Sequence, residues 1–205
     1  MGDEDTAIAL DIASALTDTD GSEVLSVKID GIPDGATLSA GTVNEDGSVT
    51  VTPAQLEGLT ITPPDDYAGS FDLNVTATST EANGGDTAET LGSIMVDVAA
   101  VADAADMTVT DAAGTEDTAI PLNITAASTD ADGSESVSVT ISNIPDGAVL
   151  TDGAGNPITI TDGAATLTTA QLEGLTITPP ENSDGDYTLD VAVTTTDGDD
   201  AKTVS

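Results

Sequence analysis

Residues 136–142 read SVSVTIS. Val137, Val139 and Ile141 fall on one side of an extended chain, and Ser and Thr fall on the other. That two-residue period marks a strand with one buried face. Residues 186–197, DYTLDVAVTTTD, alternate in the same way through Tyr187, Leu189, Val191 and Val193. Earlier in the chain, Leu25, Val27 and Ile29 match the first set, and Phe71, Leu73 and Val75 match the second. Turn signals such as Asp-Gly, Pro-Asp-Gly and Pro-Pro recur every ~8–12 residues, the rhythm of an all-β sandwich. Helix signals are confined to PAQLEGL (53–59) and TAQLEGL (169–175), each long enough for one short turn.

These matches belong to a duplication. EDTAI begins at Glu4 and at Glu116, and IPDGA begins at Ile32 and at Ile144, both 112 residues apart. AQLEGLTITPP begins at Ala54 and at Ala170, now 116 apart, so the second copy carries about four extra residues. They fall in TDGAGNPITITDG (151–163), whose Gly, Asp, Asn and Pro read as a hairpin loop. Two domains follow, 1–101 and 102–205, meeting near VAAVADAAD (98–106). The first lacks a counterpart of MTVTDAAG (107–114), so its first strand segment is expected to be missing. The second stops at DAKTVS before any counterpart of SIMVDV (93–98), so its last strand is expected to be missing. Unpaired edges invite pairing between molecules.

The strands of the second copy are expected to run from a kinked first strand over 106–126 to a sixth over 186–196. Simple alternation then puts the turn at 130–135 at the end of that domain far from the first. By the same logic residues 18–23 lie beside the linker.

The chain holds 38 acidic residues, two basic ones and no His or Cys, for a formal net charge of −36. Nucleic acid is an unsuitable partner, since phosphate binding needs clustered Lys and Arg. Insertion into a membrane is not expected, because no apolar run approaches ~20 residues. Without His, Cys, a nucleophile elbow or a Gly-rich phosphate loop, the chain is read as not an enzyme. Three aromatics, Tyr67, Phe71 and Tyr187, do not make a sugar platform.

The acids are concentrated in DTDGSE (18–23), which returns as DADGSE (130–135). One such turn alone is as easily a solvated loop. An EF-hand does not fit, because its flanking helices and its final bidentate Glu are absent. A calcium site assembled from several loops fits better. Ca²⁺ takes six to eight oxygens, and crowded carboxylates repel until a divalent ion joins them. Asp18, Asp20 and Glu23 share one turn, Glu4 could approach the same end, and the linker adds Asp103 and Asp106. A donor set without His or Cys favours a hard-oxygen metal over zinc or copper.

Taken together, AVADAADMTVTDAAGTEDTAIPLNI, TDADGSESVSVTISNIPDGAVL and LEGLTITPPENSDGDYTLDVAVTTTDGD resemble the tandem repeats of giant bacterial RTX adhesins exported by type I secretion. The resemblance spans essentially the whole chain, twice over. It implies two Ig-like or cadherin-like Greek-key sandwiches arranged end to end. Such repeats are extracellular extender modules at the bacterial cell surface, stiffened by Ca²⁺ at their junctions with neighbouring repeats so that a distal adhesive domain is held away from the cell.

Carried over by position, the resemblance implies a junction site of Glu4, Asp18, Asp20, Glu23 and Asp103, with Asp106 also a candidate. Asp146 or Asp199 could join it from the second domain. Glu116, Asp130, Asp132 and Glu135 would serve a following junction. Asp65 and Asp66 have no strict match in PPENSDGD and receive no role. The rival readings are a module that grips a sugar or peptide directly and a noncatalytic domain of a secreted hydrolase.

Overall fold

The computed structural model spans residues 1–205 and describes all of them except Thr19, Ala131 and Asp132. The chain divides into two compact units, Met1–Ala100 and Val101–Ser205. Both are built almost wholly of β-strands, as the period-two patterns require.

In the first unit a six-stranded sheet runs Gly2–Asp3, Thr87–Ala99, Gly69–Glu81, Glu23–Asp30, Val49–Val51 and Thr42–Val43. A three-stranded sheet of Ile8–Ala9, Thr60–Thr62 and Thr37–Leu38 covers one face. Val27, Ile29 and Leu73 from the larger sheet meet Ile61 and Ile8 from the smaller, and the first four are fully buried. The result is a β-sandwich with an aliphatic core.

The second unit repeats the plan. Ala165–Thr168, Ser136–Ser142, Asp190–Asp197 and Asp200–Val204 form one sheet, and Ile120–Pro121, Thr176–Thr178, Val149–Thr151 and Pro157–Ile158 form the other. Val139, Ile141, Leu150 and Val193 are fully buried between them. Register is conserved between the copies: Val27 stands opposite Ala77, and its equivalent Val139 stands opposite Val193. A one-residue slip would turn both apolar rows out to water, so the pattern fixes this pairing.

The two helical turns fall where expected, a 3₁₀ turn at Pro53–Gln55 and an α turn at Thr169–Leu172. Each is closed by a glutamine reaching back: the amides of Thr52 and Thr168 donate to Gln55 Oε1 and Gln171 Oε1 at 2.8 and 2.9 Å. The four-residue insertion is a hairpin, with Val149–Thr151 antiparallel to Pro157–Ile158. Asp152 holds its tip, accepting the amides of Ala154 and Asn156 at 3.0 and 2.8 Å.

The single kinked strand expected over 106–126 is instead a hairpin. Asp106–Thr110 pairs antiparallel with Asn123–Ala127, so Asp106 faces Ala127. This added reversal changes which loops share an end of the unit. The first-unit match to the second of these strands, residues 11–15, has no such partner and forms no strand. Ile124 is accordingly buried, whereas its equivalent Ile12 is half-buried. At the other edge of the second unit, Asp200–Val204 pairs with Asp190–Asp197 and sets Val204 opposite Val193. It matches residues 86–90, the opening of the long Thr87–Ala99 strand.

Candidate functional site

The carboxylates of each unit divide between its two ends. In the first unit the long strand Gly69–Glu81 measures the separation, because its thirteen residues span about 40 Å. At one end Glu23 stands directly opposite Glu81 across the ladder. The turn bearing Asp18 and Asp20 precedes Glu23, and the Ser22 hydroxyl faces Glu81 Oε2 at 3.4 Å. Asp18 Oδ1 accepts the Asp20 amide at 3.0 Å, and Asp20 Oδ1 accepts the Ser22 amide at 2.7 Å. The turn is wound around its own carboxylates. Like charges directly opposite on a ladder destabilise it.

At the other end Gly69 faces Val98, and the Glu4 amide donates to Ala99 O at 3.0 Å. Glu4 is buried there, with 6% of its surface exposed. Two expectations are corrected. Glu4 does not approach Asp18, Asp20 and Glu23, and that acidic turn lies away from Ala100 rather than beside the chain's exit. The strand Gly69–Glu81 runs the full length of the sandwich between the two groups.

Glu4 has different neighbours at its end. The Asp66 amide donates to Asp5 Oδ1 at 3.0 Å, and carboxylate oxygens of Asp5 and Asp66 lie within 4.8 Å of each other. Both residues have positive φ, 54° and 56°. The second unit repeats the arrangement, with the Asn182 amide donating to Asp117 Oδ1 at 3.1 Å and φ values of 56° and 58°. Asp66 therefore does have a match, Asn182, which sequence reading missed because the carboxylate has become an amide.

In the second unit the hairpin of residues 106–127 brings the acidic turn back to the segment that opens the unit. The Asp103 amide donates to Glu135 Oε1 at 2.5 Å, and the Ser128 hydroxyl donates to the same carboxylate. Thr195, fully buried, donates to the Asp103 carbonyl, and Asp200 Oδ2 accepts the Ala102 amide at 3.0 Å. Asp130 accepts the Ser134 hydroxyl at 2.9 Å, and its amide donates to Ser128 Oγ at 3.0 Å. Asp106 is exposed at the same end. Asp132 lies outside the described residues.

The turn at 130–135 was expected at the end of this unit away from residues 101–103. It lies with them, because the chain doubles back at 106–127. Asp199, on the tight turn between the last two strands, shares that end. Asp146 does not: it follows the far end of Ser136–Ser142, in the turn closed by the Ala148 amide on Pro145 O. Glu116, the match of Glu4, also lies at that opposite end, and it is exposed.

Asp197 was not foreseen. It is only 4% exposed. Ser136 pairs with Thr196, so one further step along the register sets Glu135 opposite Asp197, as Glu23 is opposite Glu81. The 116-residue offset that aligns AQLEGL also aligns Glu81 with Asp197, and that was the available signal. A nearly buried carboxylate beside another acid is costly unless a positive charge joins them. Among the described residues the only ion pair is Lys28 with Asp46, 2.8 Å apart.

No family model matches the chain, and neither does any curated protein. Its chemistry rests on these two ends. No helix among the described residues is long and apolar enough to cross a membrane.

Three exposed carboxyls show how local hydrogen bonds act here. Asp20 is held below its ordinary value by the side chain and then the amide of Ser22. Asp46 is held far below by Lys28 and then by Ser48, and Asp152 is lowered by the amide and side chain of Asn156. Each folded value lies below the ordinary 3.8. The stability they add is therefore present above 3.8 and lost as pH falls through the folded values. Carboxyl-carbon NMR titration should find Asp46 titrating lowest of the three; an Asp46 midpoint at the ordinary value would contradict this hydrogen bonding.

Proposed function

We propose that this protein is a calcium-binding structural module of a bacterial surface adhesin, extracellular, in which Ca²⁺ joins the end carboxylates of each repeat. The observation that carries the reading is the recurring acid pair at the ladder end, Glu23 with Glu81 and Glu135 with Asp197. Asp197 is nearly buried, and the chain has too few cations to neutralise such groups. A divalent ion with oxygen ligands supplies the missing charge. Asp18, Asp20, Glu23 and Glu81 are the donors assigned in the first unit, and Asp103, Asp130, Glu135 and Asp197 in the second.

Further oxygens come from Asp200 and Asp199 in the second unit, and Glu4, Asp5 and Asp66 make a further acidic group in the first. Carboxylate and carbonyl donors without nitrogen or sulfur suit a hard cation, and a flexible loop cluster suits Ca²⁺ better than the small octahedral Mg²⁺. With calcium bound, repulsion at each end becomes attraction. A string of such repeats then stiffens where calcium is abundant and loosens where it is scarce.

Titration calorimetry with CaCl₂ tests this. Saturable binding is expected with a Kd of about 10⁻⁴–10⁻³ M, the range of extracellular modules. Glu135→Gln and Asp197→Asn should each lower the number of ions bound. No heat of binding up to ~10 mM calcium, well above that range, would refute the reading.

A further inference from the structure

The second unit contains an open strand-shaped slot that the first unit fills with its own chain. Its cavity measures about 610 Å³ and runs between residues 109–116 on one side and 183–191 on the other. The floor is apolar, with Ile120, Leu122, Ile177, Leu189 and Val191.

The first unit shows what the slot is shaped for. There, residues 92–98 pair antiparallel with residues 69–75, from Gly69 opposite Val98 to Val75 opposite Gly92. Gly2–Asp3 pairs parallel with Val98 and Ala99 on the other side. Val96 and Val98 are 3% and 6% exposed, and Ile94 packs against the same core. The walls of the second-unit slot are the equivalents of those two neighbours, residues 185–191 and 114–115. Residues 69–73 have only that one ladder partner, and their matches at 185–189 form no strand.

The second wall is already in place. An added Cβ at Gly114 would lie 2.4 Å from Ile120 Cγ1, as one at Gly2 would lie 2.6 Å from Ile8 Cγ1. The backbone therefore lies flat on the same isoleucine in both copies. What differs is the strand between the walls.

We propose that this slot binds, from a second polypeptide, an extended strand of the type of residues 92–99, by β-augmentation. Aliphatic side chains at alternate positions fill the places of Ile94, Val96 and Val98, while main-chain hydrogen bonds pair with residues 185–191. Charge narrows the occupant further. Asp111, Glu116, Asp184 and Asp186 rim the slot. In the first unit Asp97 faces Ser70, whose equivalent is Asp186. The preferred strand is thus uncharged or basic at the position of Asp97, where an acid would face an acid.

The test uses the full chain and a capped peptide of residues 91–101, LGSIMVDVAAV. Saturable one-to-one binding is expected, with amide-exchange protection appearing at residues 185–189. The Asp97→Lys peptide should bind about fivefold tighter, since a like-charge pair with Asp186 becomes an opposite-charge pair. The Val96→Asp, Val98→Asp peptide should not bind. A chain extended after Ser205 by residues 92–100 should lose the peptide site altogether. Equal binding of all peptides, or binding without protection at 185–189, would overturn the proposal. So would a self-associated chain that the peptide does not dissociate, since a second copy would then hold the slot. Calcium plays no part in this measurement, so its outcome is independent of the metal sites.

Discussion

In ~10 mM calcium the protein is expected to melt about 10–20 °C higher than in chelator. The magnitude follows from mass action. With a Kd near 10⁻⁴ M, that concentration is about one hundredfold in excess and stabilises the folded state by ~2.7 kcal/mol per site. In a unit of this size, each kcal/mol moves the midpoint by roughly 4–8 °C. Magnesium should substitute poorly, because it keeps its waters and demands octahedral geometry.

The sign of two substitutions separates this from a general salt effect. In chelator, Asp197→Asn removes a nearly buried charge beside Glu135, so it should leave the midpoint unchanged or raise it. In calcium the same substitution should remove most of the second unit's gain. Glu81→Gln should act the same way on the first unit, where Glu23 faces it. Screening by salt would affect wild type and variants alike. Equal midpoints with and without calcium would refute the metal reading outright.

The strands were legible because their side chains alternate: Val137, Val139 and Ile141 declare one face, and the structure buries Val139 and Ile141 completely. The insertion was legible because Asp152 sits in turn chemistry. The ends of the sandwich were not. Alternation along a strand says which face is inside but not how often the chain reverses. The segment 106–127 contains one reversal more than its apolar pattern suggests, since Met107 and Ile124 both pack inward from two antiparallel strands. One miscounted reversal moves every later loop to the opposite end. That is how Glu4 came to be grouped with Asp18, and how Glu135 was placed away from Asp103.

Glu81 and Asp197 were illegible for a different reason. Each closes a run of small polar residues, TSTE or TTTD, and reads as a solvated strand end. Only the register shows that each faces another acid. Asp66 and Asn182 hid behind a change from acid to amide, while their positive φ and shared hydrogen bond kept the same turn.

Leucines at one repeat position provide a second large effect. Leu73→Ala should destabilise the first unit by about 2–5 kcal/mol, the range for removing a fully buried leucine and leaving a cavity. Leu73 is fully buried beneath the strand carrying Ile94 opposite it. Its equivalent Leu189 is half-buried, on the floor of the open slot. Water already reaches that side chain, and truncating it enlarges an existing opening instead of creating an enclosed void. Leu189→Ala should therefore cost less than half as much, measured as the shift in urea midpoint of each unit's transition. Occupation of the slot reverses the inequality's cause: with residues 92–100 appended after Ser205, Leu189 becomes covered, and its truncation should approach the cost of Leu73→Ala. Equal losses for the two leucines in the unextended chain would mean that the slot is closed in solution. Only a missing strand, not a difference in leucine chemistry, makes the two copies respond differently at the same position.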